Sequence, residues 1–158
     1  MGPTRAVRPL LAALGLLALA GCSSGVPVDP PTLSGAAAYT CAALHGRLPD
    51  EVSGQTVTAV EPQSPYTQAW GSPAIVLRCG VPVPAALTPT SQLVSVDGVD
   101  WLPEQLSDGY RFSTVGRAVT VEVTVPHHYA PEAGALADLS PVVAAADPSA
   151  GPSASATG

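Results

Sequence analysis

The chain has 158 residues, with six Lys and Arg against 12 Asp and Glu, a formal net charge of −6, 18 prolines, 15 glycines and 4% aromatic residues. It contains no lysine, and Arg5 and Arg8 lie at its very start, so the remainder is more acidic still. This balance argues against nucleic-acid binding, which needs a basic stripe to displace counterions, and against a polybasic membrane-surface role; it excludes Schiff-base and lysine-activated chemistry.

Arg5 and Arg8 precede an uncharged apolar run, Leu10 to Ala20, that closes on small residues. That is the layout of a secretory signal peptide. The run is too short to span a bilayer, which takes ~20 apolar residues. Leu19-Ala20-Gly21-Cys22 resembles the lipobox of bacterial lipoproteins. The resemblance implies cleavage before Cys22, a diacylglyceryl group on its thiol and anchorage by that lipid at the outer face of the cytoplasmic membrane. Residues 1–21 are thus expected to be signal, and residues 22–34 a lipidated cysteine with a Pro-rich tether. Ser23 to Ser34 carries three prolines and small polar residues. It is expected to stay extended without packing, and at ~3.1 Å per residue to hold the domain up to ~37 Å off the membrane.

The folded region is expected to run from 35 to 146. Ser34 is positioned to cap a helix from about Gly35 to His45, closed by Gly46. Ala37, Cys41, Leu44 and Leu48 fall at helical spacing on one face, so Cys41 lies on the packing side. Gln55 to Val60 has the β-branched content of a strand, and Pro62 to Tyr66 reads as loop. Ala69 to Pro73 turns the chain into a central strand, Ala74 to Val81, whose apolar run is nearly continuous. Alternation puts Ile75, Leu77 and Cys79 on one face and Val76 and Arg78 on the other. With Cys22 lipidated, Cys41 and Cys79 are the remaining thiols, one on a helix face and one on a strand face. Outside the cytoplasm such a pair is expected to form a disulfide.

Two hairpins follow. Asp97-Gly98 is a type I′ turn pair, placing Val96 opposite Val99 and Val94 opposite Trp101. Gly116-Arg117 suits a II′ turn pairing Val115 with Ala118, which puts Phe112 opposite Val121 and Tyr110 opposite Val123. Arg111 then meets Glu122 on the reverse face. After Pro126, a helix opened by Pro131 or Glu132 carries Leu136 and Leu139 on its apolar side, with Ser140-Pro141 as a kink before Ala146. Residues 147–158, small, polar and proline-bearing, are expected to be a disordered tail. The predicted fold is α+β: a small antiparallel-rich sheet of five or six strands with two hairpins, packed by an N-terminal and a C-terminal helix.

The segments Ala69-Trp70-Gly71-Ser72-Pro73-Ala74-Ile75-Val76-Leu77-Arg78-Cys79-Gly80-Val81, Val96-Asp97-Gly98-Val99-Asp100-Trp101 and Thr114-Val115-Gly116-Arg117 resemble the domain-of-unknown-function 3515 family of actinobacterial secreted lipoproteins. The resemblance covers roughly Ala38 to Leu139. It implies a cell-envelope lipoprotein and carries over no catalytic residue.

Catalytic motifs are sparse. The sequence has no Ser-x-x-Lys or His-Glu-x-x-His. His127-His128 lacks a third ligand at a recognisable spacing, and Asp97, Asp100, Glu104 and Asp108 lack the alternation of a calcium loop. No catalytic residue, metal or cofactor is assigned. Trp70, Arg78 and Trp101 are the candidate binding residues: a guanidinium flanked by aromatics suits a carboxylate or phosphate, and tryptophan is enriched where binding energy concentrates. The alternative for both tryptophans is core packing, and for Arg78 a structural ion pair. The expected function is a non-catalytic binding or adaptor domain of the envelope, partnered by the membrane through Cys22 and by an envelope protein, with no nucleic acid. The other reading is an envelope hydrolase using a carboxylate pair.

Overall fold

The computed structural model describes residues 1–2 and 25–149. The signal segment, Cys22 and the end of the expected tail lie outside the described residues.

Among the described residues ten strands and two α-helices follow one another, with a 3-10 turn at His127–Tyr129: β1 (Val26–Pro27), α1 (Gly35–His45), β2 (Glu51–Val52), β3 (Gln55–Thr58), β4 (Val60–Glu61), β5 (Thr67–Trp70), β6 (Ile75–Val81), β7 (Val94–Val96), β8 (Val99–Gln105), β9 (Gly109–Val115), β10 (Thr120–Pro126) and α2 (Gly134–Ala146). Eight strands form an antiparallel sheet ordered β2-β3-β5-β6-β10-β9-β8-β7, while β1 and β4 make a separate parallel pair. The fold is α+β as expected, with more strands than the five or six predicted. β5 is one of the additions: the stretch around Trp70, read as a turn, is a strand whose backbone pairs with both β3 and β6.

The sheet curves around its helices. α2 touches β2 at one edge of the sheet and β7 and β8 at the other. Two polar contacts hold it there. The Ser53 N–H donates to Asp138 Oδ2 at 2.8 Å, and the Trp101 indole N–H donates to Ser140 Oγ at 3.0 Å. α1 lies beside α2 and over β6, where Cys41 and Cys79 are joined by a disulfide with Cα atoms 5.5 Å apart. Leu44, Leu136, Leu139 and Val143 of the helices pack on Ile75, Leu77, Phe112, Val121, Val123 and Val125 of the central strands. Period-2 alternation in β6 and β10 produces this concave core, and it leaves Val76, Arg78, Glu122 and Thr124 on the convex face.

The first hairpin has the expected register, Val96 opposite Val99 and Val94 opposite Trp101, with Asp97 and Gly98 both at positive φ. The second differs. Glu122 faces Ser113 and Val123 faces Phe112, a slip of two residues from the predicted pairing. Two is the one small slip that keeps every side chain on its face, so the apolar stripe survives while its partners change. The wider turn is held locally, where the Thr114 hydroxyl accepts the Val121 N–H at 2.9 Å, and from a distance. The Asp147 carboxylate accepts the N–H groups of Ala118 and Val119 at 3.2 and 2.9 Å, holding the turn wider than a two-residue loop.

That contact also corrects the tail boundary. Asp147 is 2% exposed and Ser149 forms a β-bridge with Arg117, so residues 147–149 belong to the folded unit. The tether expectation is corrected at the other end. Residues 25–34 pack on the domain: the Val26 N–H donates to Ala59 O at 2.8 Å, the Val28 N–H donates to Glu61 O at 3.1 Å, and Val28 is buried. Proline removes a donor but not a side chain, so Val28 between the prolines still buries, and Val26 and Leu33 on either side of them half-bury. Leu33 sits over Gly80, whose φ is +86° and where a Cβ would come within 2.5 Å of Leu33 Cδ1. Ser34 stands at the N-cap of α1 but makes no side-chain capping bond.

Candidate functional site

The three candidate binding residues are not neighbours in function. Trp70 and Trp101 are both fully buried in the concave core. The Trp70 indole N–H donates to Pro49 O at 2.9 Å, and that of Trp101 to Ser140. Each tryptophan thus satisfies its one polar atom internally, as a buried indole must. A surface role for them is corrected: in a core of small aliphatic residues they are the largest fillers. Arg78 points the other way, so the sheet separates it from both rings.

On the convex face Arg78 has company that the sequence indicated only in part. Its Nε–H donates to the backbone carbonyl of Asp29 at 3.1 Å and its Nη1 to Glu122 Oε1 at 3.3 Å. Arg111 Nε approaches Glu122 Oε2 at 3.5 Å. The predicted Arg111–Glu122 pairing therefore forms diagonally, through the shifted register. Arg78 and Arg111 side chains are 35% and 39% exposed, and Glu122 only 14%. The trio floors a shallow depression of about 300 Å³ that Pro27, Asp29 and Thr124 also line. Arg78 hydrogen-bonds one Glu122 oxygen, whereas the buried Arg111 Nε lies beside the other without a hydrogen bond. Arg78 Nη2 and both terminal nitrogens of Arg111 have no protein acceptor among the described residues. Two buried hydroxyls flank the trio across neighbouring strands, Thr67 opposite Arg78 and Ser113 opposite Glu122, and neither has a hydrogen-bond partner among the described residues.

A second concavity was not legible in the sequence. A cleft of about 500 Å³ opens at the end of α1, between β3–β4 and the chain leading into β5. His45, Thr58, Gln63, Ser64, Thr67 and Gln68 give it polar groups. Its walls come from four elements brought together by topology, and no spacing in the chain announces that.

Several of the other ionisable groups are held in local bonds. His127, just after β10, pairs with Glu132, and this hydrogen bond is the main reason that the Glu132 carboxyl is held below the usual carboxylate range. Asp100 accepts from the Ser95 hydroxyl, Asp138 from Ser53 and Asp147 from two backbone N–H groups. Among the described residues no three His, Cys, Asp or Glu side chains gather as metal ligands, and no described helix is long and apolar enough to cross a membrane.

No curated protein and no solved structure matches the chain. The family described as protein of unknown function (DUF3515) matches residues 6–151, and the chain belongs to that family.

Proposed function

We propose that this chain is a non-catalytic binding or adaptor domain of the cell envelope, held at the outer face of the cytoplasmic membrane by lipid on Cys22, and that it recognises a carboxylate- or phosphate-bearing partner at the Arg78–Arg111 depression. The observation that carries this reading is the placement of cationic charge. Beyond Cys22 the chain has four arginines and no lysine against 12 acids, yet Arg78 and Arg111 converge on one carboxylate. Half-exposed ion pairs are worth only about 0–1 kcal/mol each, so stability gives little reason to gather them. Two guanidiniums with N–H groups left over in an open depression suit a planar, bidentate anion. Asp29 and Glu104 stand nearby, Glu104 opposite Arg111 across β8–β9, which favours a partner that aligns with the guanidinium forks over any diffuse anion.

Glu122, the carboxylate on the floor of the depression, is tied to Arg78, which supports binding there over the alternative, an envelope hydrolase using a carboxylate pair. Affinity capture of envelope components on the immobilised full chain tests the reading. Retention of an acidic component that Arg78→Gln and Arg111→Gln each weaken is the expected result. Turnover of an envelope substrate by the purified chain, abolished by one carboxylate substitution, would overturn it.

A further inference from the structure

The docking of residues 25–34 changes what an anchor at Cys22 would do. With Gly25 seated against Glu61, where an added Cβ would come within 3.1 Å of the Glu61 Cβ, only the links through Ser23 and Ser24 separate Cys22 from the folded surface. Three links reach at most about 11 Å. The domain would then stand on the bilayer and not above it, and the surface held closest is the one to which β1 is bonded.

That surface is the wall of the 500 Å³ cleft. Ala59, which accepts the Val26 N–H, and Val60, which pairs with Val26, both line it. The lining has a definite chemistry. Two carboxamides (Gln63 and Gln68), the Ser64 hydroxyl and the His45 imidazole line it, while no Asp, Glu, Lys or Arg does among the described residues. Carboxamides and hydroxyls can both donate and accept, as the hydroxyls of a polyol do. Val57 and Val60 supply apolar wall, and the volume falls within the usual range for small-ligand sites.

We propose that this cleft faces the membrane and receives the hydroxyl-bearing headgroup of a membrane lipid. The proposal rests on lipid attachment at Cys22 for its orientation, but the cleft's chemistry stands apart from the Arg78–Arg111 depression. A lining without Asp, Glu, Lys or Arg disfavours a purely phosphate or quaternary ammonium headgroup, which would leave its charge unmatched.

The test uses the full lipidated chain in nanodiscs of phosphatidylcholine containing monoglucosyl diacylglycerol, with native mass spectrometry counting the lipids retained on release. Preferential retention of the glucosyl lipid is expected. Ala59→Trp and Gln63→Trp, both at exposed positions lining the cleft, fill it without disturbing the core and should abolish the preference while leaving the melting transition in place. Equal retention of both lipids, or a preference that survives both substitutions, would overturn the proposal. The intact mass of the same sample reports whether Cys22 carries its diacylglyceryl group. A chain lacking that mass but still preferring the glucosyl lipid keeps the cleft and discards the anchor; a chain lacking both overturns both.

Discussion

Replacing Asp147 probes the joint on which the second hairpin depends. This residue lies just past α2 and is 2% exposed. Its two carboxylate oxygens accept the N–H groups of Ala118 and Val119. Its carbonyl accepts Arg117 Nη1 at 2.6 Å, and Arg117 Nη2 reaches on to Gly98 O at 2.7 Å. One residue thereby ties the β9–β10 turn to the helix, and through Arg117 to the β7–β8 turn. Asp147→Ala removes both carboxylate bonds. The Val119 N–H is buried, so leaving it unsatisfied costs about 2 kcal/mol, whereas the half-buried Ala118 N–H regains water and loses about 1. The sum, about 3 kcal/mol, corresponds to a fall in Tm of about 12 °C for a domain of this size. Asp147→Asn keeps one acceptor and turns a donor against the other N–H, so it should lose about half as much. Urea unfolding of the full chain with its disulfide intact measures both. An Asp147→Ala chain within about 0.5 kcal/mol of the parent, the range of an ordinary surface change, would refute the reasoning; so would an Asn variant as unstable as the Ala one.

Reducing Cys41–Cys79, which closes a separation of 38 residues, should lower stability by about 4 kcal/mol in the chain-entropy treatment; a melting temperature unmoved by reductant contradicts it. Trp101→Phe should cost about 2 kcal/mol by stranding the buried Ser140 hydroxyl and opening a small void, and urea unfolding should show a larger loss than for Ser140→Ala. Because the Glu132 carboxyl is held below its usual range by His127, its folded value lies under its unfolded one. Its contribution is therefore full above the ordinary carboxylate value and is lost as pH falls through the lowered one. Glu132→Gln should flatten that acid limb of the stability curve, and an unchanged limb speaks against the pair. Gly80→Ala should drive Leu33 off the sheet and abolish amide-exchange protection at Val26 and Val28, whereas intact protection would show that the N-terminal segment docks independently of that contact.

The elements with strong local signals were readable in the chain. α1 begins and ends where its capping residues and apolar spacing place it, and Asp97-Gly98 fixes the first hairpin because its positive φ values are a property of those two residues. The register of the second hairpin was not readable, since it depends in part on a carboxylate some thirty residues away. The docked segment 25–34 was missed for a related reason. Proline content argues against regular structure but says nothing about whether Val28 and Leu33 find a surface. Half of the candidate site was legible: Arg78 on the face opposite Cys79 follows from alternation, and Arg111 beside Glu122 from charge pairing. The convergence of all three needed the strand order β6-β10-β9, which no local pattern encodes. The assignment of Trp70 and Trp101 to a binding surface weighted residue type over the shortage of large apolar residues that draws both inward.

The Arg78–Arg111 face is proposed to meet an acidic partner at the membrane. Photo-crosslinking in intact cells tests it most directly, with a photoreactive residue placed at Thr124 in the depression and, separately, at Asp97 on the β7–β8 turn. The account predicts an adduct from Thr124 that Asp97 does not give, and that disappears both with Arg111→Gln and with Cys22→Ala. The same adduct from both positions, or one from Thr124 that is indifferent to Arg111→Gln, would contradict it.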